Sequence, residues 1–537
     1  MVDQFRFDYL TRFGDLFGSR GIGRLVREGA QWTNAEYEYV PTYTAPGHAA
    51  MMTGSWPKQN GIVGNEWFER ETDLRVSSVT DKTVTSLGGE AGESGYSPRR
   101  LLCPTVGDEL HLAGGDGTKV IGISVKARSA ILPAGLRASA AYWYSMNNGN
   151  MVSSSYYFKD LPDWVNRFNR RRIPDTWFGA RWDRLLPEPE YLKRAGKDDV
   201  PWENIDKSSN DTNFFPHIVN GGAAAPSKAF YRALEYTPFS NELLLSFAQE
   251  AISNEKLGDD EQTDVLTVSF SANDYVGHRF GPNSHEVMDM ALRVDAQIGQ
   301  LLDFIDGRTG LKNTIVIFTS DHGVVAIPED LINRRVTGRR AAESDMRAVV
   351  ENGLKQRYAR PDRPATDYVQ TFTSTNEPGV INSNFYLNHA ALKRDGIDRA
   401  ECEEVVGRLT ATMPGVARYF TRTQIESNRL SPSDPIARRV INGFHSHRSG
   451  DVVVVMKPYH VLFDVPANST DVRSTTTHGS AYSYDSHVPL IIMGPGFSPG
   501  TYKQPAAPAD IAPTLARVLG IKTPRCSVGR ILSEVMK

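Results

Sequence analysis

The chain has 537 residues, with 60 basic and 63 acidic side chains, so its net charge of −3 gives no bulk attraction to nucleic acid or an anionic membrane. Its 40% hydrophobic and 23% charged residues supply a large core and exclude a disordered chain. No run reaches the roughly 18 apolar residues of a membrane span, so any anion this chain handles must be held by a local site.

Met1-Val2-Asp3 lacks the charged-then-apolar opening of a signal peptide, and its abrupt start within a motif leads us to expect a segment upstream. Pro41–Gly54 (PTYTAPGHAAMMTG) reads as a helix, with Pro46 in the first turn and small, helix-forming residues up to Gly54. Thr44 stands at its start, where the helix dipole and free N–H groups favour an anion. Spacing leaves two readings of Thr44: an N-cap, the commoner job, or a reactive hydroxyl.

Lys119–Val125 is a continuous β-branched run, the pattern of a strand covered on both faces, and Lys126 and Arg128 follow it. Taken alone, that pair is an exposed basic doublet. From 140 to 240, 19 of 101 residues are aromatic, about twice the 10% chain average, and the stretch reads as an irregular cap-like insertion. Asp264–Phe270 is a second strand, followed by Ser271-Ala272-Asn273-Asp274-Tyr275-Val276-Gly277-His278. Val287, Met290, Ala291, Val294, Ile298, Leu301, Leu302 and Ile305 then recur at helical spacing. Thr314–Thr319 is a third strand, followed by Ser320-Asp321-His322-Gly323. Strand, helix and strand in that order predict a right-handed parallel unit. Both Asp-His pairs would then emerge at the carboxyl edge of the sheet, where α/β proteins bind ligands. Carboxylate oxygen and imidazole nitrogen suit zinc. One such pair is an ordinary polar loop; two at consecutive strand ends predict a metal site.

From about 331 to 475 the pattern is mixed, opening on Arg334-Arg335 and Arg339-Arg340, which read as solvated surface. Val452–Met456 is a further strand candidate. His478, in Thr475–Gly479 (TTTHG), precedes the apolar run Val488–Met493, and Ala509–Leu519 reads as a helix closed by Gly520. His389, His445, His447 and His460 read as surface or supporting residues; His48, His111, His285 and His487 lie near motifs but are not expected as ligands. Cys103, Cys402 and Cys526 allow one bridge at most without choosing the pair, and free thiols are the expectation. Strands alternating with helices make the fold class α/β.

In order along the chain, Val2–Leu10, Pro41–Asn65, Ser124–Gly135, Asn273–His278, Thr319–Gly323 and Thr475–Gly479 resemble the motifs of the alkaline phosphatase superfamily. They are closest to its nucleotide pyrophosphatase/phosphodiesterase branch, and within it to bacterial alkaline phosphatases with a threonine nucleophile. The resemblance implies one alkaline-phosphatase-like domain over 1–537, with a mostly parallel central sheet flanked by helices and insertions at about 140–240 and about 331–475. It implies two zinc ions, one on Asp274, His278 and His478, the other on Asp3, Asp321, His322 and the Thr44 oxygen. Thr44 would be the nucleophile, Asn65 a phosphate contact, and Lys126 with Arg128 the pair that marks monoester hydrolysis. The implied activity is broad-specificity hydrolysis of small phosphate monoesters through a phosphothreonine, in the periplasm or outside the cell, with no nucleic-acid or membrane partner. The apolar strand that precedes Asp3 in the family is not in this sequence. Acidic loops such as Asp259-Asp260-Glu261 leave room for structural calcium.

The main alternative is a phosphodiesterase on the same scaffold, against which Lys126 and Arg128 argue, since a diester offers one fewer charged oxygen. A sulfatase needs Cys or Ser in a C/S-x-P-x-R context, where this chain has Thr44, Pro46, Gly47 and His48. A cofactor-independent mutase stays open. A non-catalytic metal- or phosphate-binding protein predicts a lost nucleophile or a broken ligand set, and neither is seen.

Overall fold

The apolar runs form the strands expected of them, four trimmed by a residue or two at one or both ends and Val452–Met456 at its full length. In a computed structural model describing residues 1–203, 212–359, 366–372, 377–378, 380–381, 383–463 and 474–537, the elements that build the centre are Ala30–Trp32 (β1), Thr44–Thr53 (α1), Thr80–Leu87 (β2), Ser94–Tyr96 (β3), Val120–Ser124 (β4), Ala127–Ala134 (α2), Ala140–Tyr144 (β5) and Met151–Ser154 (β6). They continue with Val265–Ser269 (β7), Ala272–Phe280 (α3), His285–Arg308 (α4), Val316–Thr319 (β8), Leu490–Met493 (β9), Gly500–Tyr502 (β10) and Ile511–Leu519 (α5). Every residue of β4, β5 and β9 is buried, as strands packed on both faces must be.

One sheet runs β7-β4-β5-β6-β2-β3. Its β7/β4 and β4/β5 pairs are parallel, and β6, β2 and β3 extend it in antiparallel fashion. A second sheet runs β8-β9-β1-β10, antiparallel except for β1/β10. The expected strand–helix–strand unit is β7-α4-β8, but its two strands lie in different ladders. Val2 joins them: it bridges Phe270 in parallel fashion and donates its N–H to the Thr319 carbonyl at 3.1 Å. Behind Met1, between β7 and β8, lies a cavity of about 930 Å³ lined by apolar side chains such as Leu266, Val268, Ile298, Ile317 and Leu515.

Ser284 caps α4 by accepting the Val287 N–H, and the helix buries Val287, Met290, Ala291, Val294, Ile298 and Leu302 against the main core. Pro513 sits in the first turn of α5, where its missing N–H costs no helical bond, and Gly520 closes that helix at φ 66°.

The aromatic-rich stretch begins with β5 and β6, which belong to the main sheet. Its rings are interleaved with the core: Tyr142 and Trp164 pack within 5.0–5.5 Å of each other and of Phe247, just past the stretch. Large rings that bury this much apolar area are drawn inward. Residues 331–463 gather a core of their own around Met346, Val350, Phe385, Val406, Val452 and Val454. The parts of the two expected insertions at 204–211, 360–365, 373–376, 379, 382 and 464–473 lie outside the described residues.

Cysteine usage corrects one expectation. Cys103 and Cys526 form a disulfide across 423 residues, and Cys402 alone is free and buried. The segment after α5 folds back on the end of α1, where Val528 N–H reaches the Gly54 carbonyl, and this brings Cys526 beside Cys103. A count of three thiols carries no sign of that return. Among the described residues, no helix is long and apolar enough to cross a membrane.

Candidate active site

Thr44 is the first residue of α1, and Tyr43, in an extended conformation, is the N-cap. The Thr44 hydroxyl therefore does no capping. Asn65 takes over that role, its Oδ1 accepting the Ala45 N–H at 2.9 Å. Thr44 is 1% exposed, and its Oγ1 lies 3.3 Å from His322 Nε2. Gly47 lets the helix approach: a Cβ there would stand 2.5 Å from the Asp321 carbonyl oxygen. One turn after Thr44, buried His48 donates Nδ1–H to the Thr44 carbonyl at 2.8 Å, leaving Nε2 to accept from the Ser269 hydroxyl at 2.9 Å.

The two Asp-His motifs converge opposite this helix. Asp274 and His278 lie one turn apart on α3, and His278 Nε2 is 3.3 Å from Asp274 Oδ1. His478 Nε2 reaches the same oxygen at 3.6 Å. After β8, His322 Nε2 lies 3.3 Å from Asp321 Oδ2 and 3.6 Å from Asp3 Oδ1. The His322 ring stacks on that of His478 at 3.5 Å. Two groups of three bring ligand atoms within 4.8 Å of one another: Asp3, Asp321 and His322, and Asp274, His322 and His478. His322 thus stands between the two groups, and His278 flanks Asp274.

Each histidine is held from behind. His278 Nδ1 donates to the Thr476 carbonyl at 2.8 Å, His478 Nδ1 to Thr42 at 2.8 Å and His322 Nδ1 to Gly323 at 2.9 Å. A carbonyl can only accept, so Nε2 is unprotonated in the neutral ring and faces the carboxylates. That is how metal-ligating histidines are oriented. Asp3 Oδ1 and Asp321 Oδ2 are buried without a hydrogen-bond donor. Buried anionic oxygens beside three imidazole lone pairs are a donor set that fits divalent cations, zinc included.

Charge in the site is tightly coupled. Burial and the nearby Asp321 push the Asp3 carboxyl well up. Burial also opposes the Asp274 charge, but Lys126 and the neighbouring histidines outweigh it and hold that carboxyl well below the usual range. Asp321 is likewise held low against burial by His322 and His48. Burial depresses His322 and His478. His278 rises because Asp274 outweighs burial.

Lys126 sits inside this cluster, 4% exposed, with Nζ 2.9 Å from Asp3 Oδ2 and 2.5 Å from Asp274 Oδ2. It is no surface cation: Asp274 and Asp3 raise its pKa in spite of burial. Arg128 is the second residue of α2, and its buried Nε has no hydrogen-bond partner. Thr44, Asp3, Asp274, His278, Asp321, His322, His478 and Lys126 are linked by direct contacts, and Asn65 joins them through α1.

Sequence reading gave Gln4 no role and named His48 only as a non-ligand near a motif. Gln4 Nε2 donates to Asp274 Oδ1 at 2.7 Å, and Gln4 N–H to Asp321 Oδ1 at 3.1 Å. The signal for His48 was its place one helical turn after Thr44; Gln4 had only its adjacency to Asp3. At the Asp259–Glu261 loop, Asp259 pairs with Arg308 and Asp260 accepts the Gln262 N–H. Among the described residues, the acidic and histidine groups that could hold an ion are the two at this site.

Residues 1–481 match the family model described as type I phosphodiesterase / nucleotide pyrophosphatase. The whole chain is 34% identical to alkaline phosphatase PhoV of Synechococcus elongatus and to alkaline phosphatase PafA of Elizabethkingia meningoseptica, covering 92% and 93% of their lengths. The crystal structure of wild-type alkaline phosphatase PafA superposes with a TM-score of 0.88 at 33% identity, over all of this chain and 98% of that one. Murine ectonucleotide pyrophosphatase/phosphodiesterase 5 shares the fold at a TM-score of 0.52 and 13% identity, over 97% and 94% of the two chains. Matched end to end, this chain belongs to the type I phosphodiesterase/nucleotide pyrophosphatase family, on its branch of PafA- and PhoV-like alkaline phosphatases.

Proposed function

We propose that the protein hydrolyses a broad range of small phosphate monoesters with the help of two zinc ions, by way of a phosphothreonine at Thr44. The observation that carries this reading is the buried Thr44 hydroxyl beside His322, free of any capping bond, where the two Asp-His groups meet. Asp274, His278 and His478 would hold one ion, and Asp3, Asp321 and His322 the other, which also takes the Thr44 oxygen. When bound, such a pair lowers the pKa of a hydroxyl and neutralises charge on a leaving oxygen.

The chain's own residues do the rest. The Thr44 oxygen forms the new P–O bond as the ester P–O bond breaks, and the departing alcohol takes up a proton. Water then attacks the phosphothreonine from the side the alcohol has left, releasing phosphate and restoring the hydroxyl. The N-terminus of α1, the Asn65 side chain, Lys126 and Arg128 stabilise the three non-bridging oxygens in both steps. Asn65 Oδ1 is tied to Ala45 N–H, so its amide Nδ2 is the end that would donate to a phosphate oxygen.

A solved variant of PafA carries changes at a threonine, an asparagine, a lysine and an arginine. The threonine and asparagine there are 21 residues apart and the lysine and arginine two apart, the spacings of Thr44 to Asn65 and of Lys126 to Arg128. That correspondence favours these four as the groups around the phosphoryl. The phosphodiesterase reading draws on the family description and on murine ectonucleotide pyrophosphatase/phosphodiesterase 5, whose inactive form is solved with AMP. The buried Lys126 weighs against it, because a desolvated ammonium is best matched to a dianion. The Cys103–Cys526 disulfide supports an oxidising compartment, the periplasm or the medium. Release of 4-nitrophenol from its phosphate monoester, a phosphate diester and the sulfate ester, measured side by side, tests the reading. A preferred diester or sulfate would refute it.

A further inference from the structure

A lysine ammonium has three N–H donors on a flexible four-carbon stem. Asp3 Oδ2 and Asp274 Oδ2 take two of those of Lys126, at 2.9 and 2.5 Å. Two bonds define an axis about which the ammonium can still turn. A third contact bears on it: Nζ lies over the Tyr275 ring, 4.9 Å from its centre, within cation–π range. Tyr275 directly follows Asp274 on α3, so a single helical turn presents both an anion and a ring to the same ammonium.

The ring is itself braced. Tyr236 packs on Tyr275 with centroids 5.1 Å apart. Tyr236 comes from the aromatic-rich stretch, so that stretch reaches the site. Its neighbour Glu235 is 3% exposed, and burial pushes the carboxyl up to about 8, with Lys126, Arg232 and Arg128 pulling the other way. The two packed rings keep water from this side of Lys126, which strengthens the charge interactions the ammonium makes.

We propose that Tyr275, braced by Tyr236, is a positioning residue that fixes the Lys126 ammonium so that its third N–H points at a non-bridging oxygen of the substrate, and so sets the preference for monoesters. Lys126 is then a fixed charge and not a flexible one. The inference rests on the reading of Lys126 given under Proposed function, and the test separates the two.

Tyr275→Leu, Tyr275→Phe and Tyr236→Ala are made in the wild-type chain and in Lys126→Ala, with metal content measured and matched. Each is assayed for kcat and KM on 4-nitrophenyl phosphate and on a 4-nitrophenyl phosphate diester, and for binding of inorganic phosphate by calorimetry. Losing the ring should cost the monoester kcat/KM roughly tenfold to thirtyfold, mostly in kcat, and the diester under threefold. Phosphate should bind more weakly in parallel. Tyr275→Phe keeps the ring face and should stay within threefold of wild type. In Lys126→Ala, Tyr275→Leu should cost almost nothing more, since the group it positions is gone. Equal losses on both substrates, or the same loss with and without Lys126, would overturn the proposal alone. No loss of monoester activity in Lys126→Ala itself would overturn the reading of Lys126 and the proposal with it. Should Tyr275→Leu fail to fold, Tyr236→Ala decides by the same criteria, because it removes the brace and leaves the ring.

Discussion

The sharpest consequence of the site is a separation of monoester from diester hydrolysis by two residues. Lys126 is almost wholly desolvated and has one N–H left after Asp3 and Asp274 take two, so it offers the substrate a single strong contact. Arg128 is half-buried, with Nε unpartnered, and offers a planar fork at lower desolvation. A hydrogen bond to a charged group contributes about 1.5–3 kcal/mol, so the two together contribute about 3–6 kcal/mol. At about 1.4 kcal/mol per tenfold, Lys126→Ala/Arg128→Ala should lower monoester kcat/KM by roughly 10²–10⁴. A diester has one of those oxygens esterified, so its loss should be at least tenfold smaller. Lys126 also neutralises two candidate metal ligands, and its removal changes their charge. The assay therefore compares 4-nitrophenyl phosphate with a 4-nitrophenyl diester at equal, measured zinc content. Equal losses on both substrates would refute the reasoning, because the pair would then serve folding or uniform binding.

Thr44→Ala should fold and bind zinc but form no phosphoenzyme, seen by mass spectrometry of acid-quenched protein, whereas Thr44→Ser should keep part of the rate; near-wild-type turnover by Thr44→Ala would move the nucleophile elsewhere. Chelator should abolish activity and zinc restore it, and His278→Ala and His322→Ala should each lose metal, by elemental analysis, while keeping the wild-type circular dichroism. Cys103→Ser/Cys526→Ser should lower the unfolding free energy by about 2–4 kcal/mol in denaturant titration, since the bridge constrains most of the unfolded chain.

Strands were the most legible part of the fold. Lys119–Val125 became β4 at Val120–Ser124 and Asp264–Phe270 became β7 at Val265–Ser269, because a run of buried β-branched residues has few other stable arrangements. Which ladder each strand joins was not legible. That residues 1–3 bond to the ends of both β7 and β8 depends on hydrogen bonds spanning about 270 and 320 residues, and no local pattern encodes them. The antiparallel extension of the sheet through β6, β2 and β3 escaped for another reason. Those strands are short or half-exposed, and Thr80–Leu87 carries charges that read as loop.

The site was legible where chemistry sits at the end of a strand or the start of a helix, as with Thr44, Asp274 and His322. It was not legible where a residue's task is set across the fold: Gln4 holds Asp274 from 270 positions away, and Tyr275 draws its role from a lysine that precedes it by 149 residues. The charges explain why those supports are needed. Asp3, Asp274 and Asp321 stand against Lys126 and Arg128, so without metal the pocket has no excess positive charge to draw a phosphate dianion. Two divalent ions on those carboxylates would turn the same pocket positive by about three charges. A chain whose net charge is −3 can then bind a phosphate monoester at one local site. That inversion demands that the carboxylates stay close together whether or not their charge is balanced. Lys126 between Asp3 and Asp274, Gln4 across Asp274 and Asp321, and the carbonyls behind each histidine hold them there.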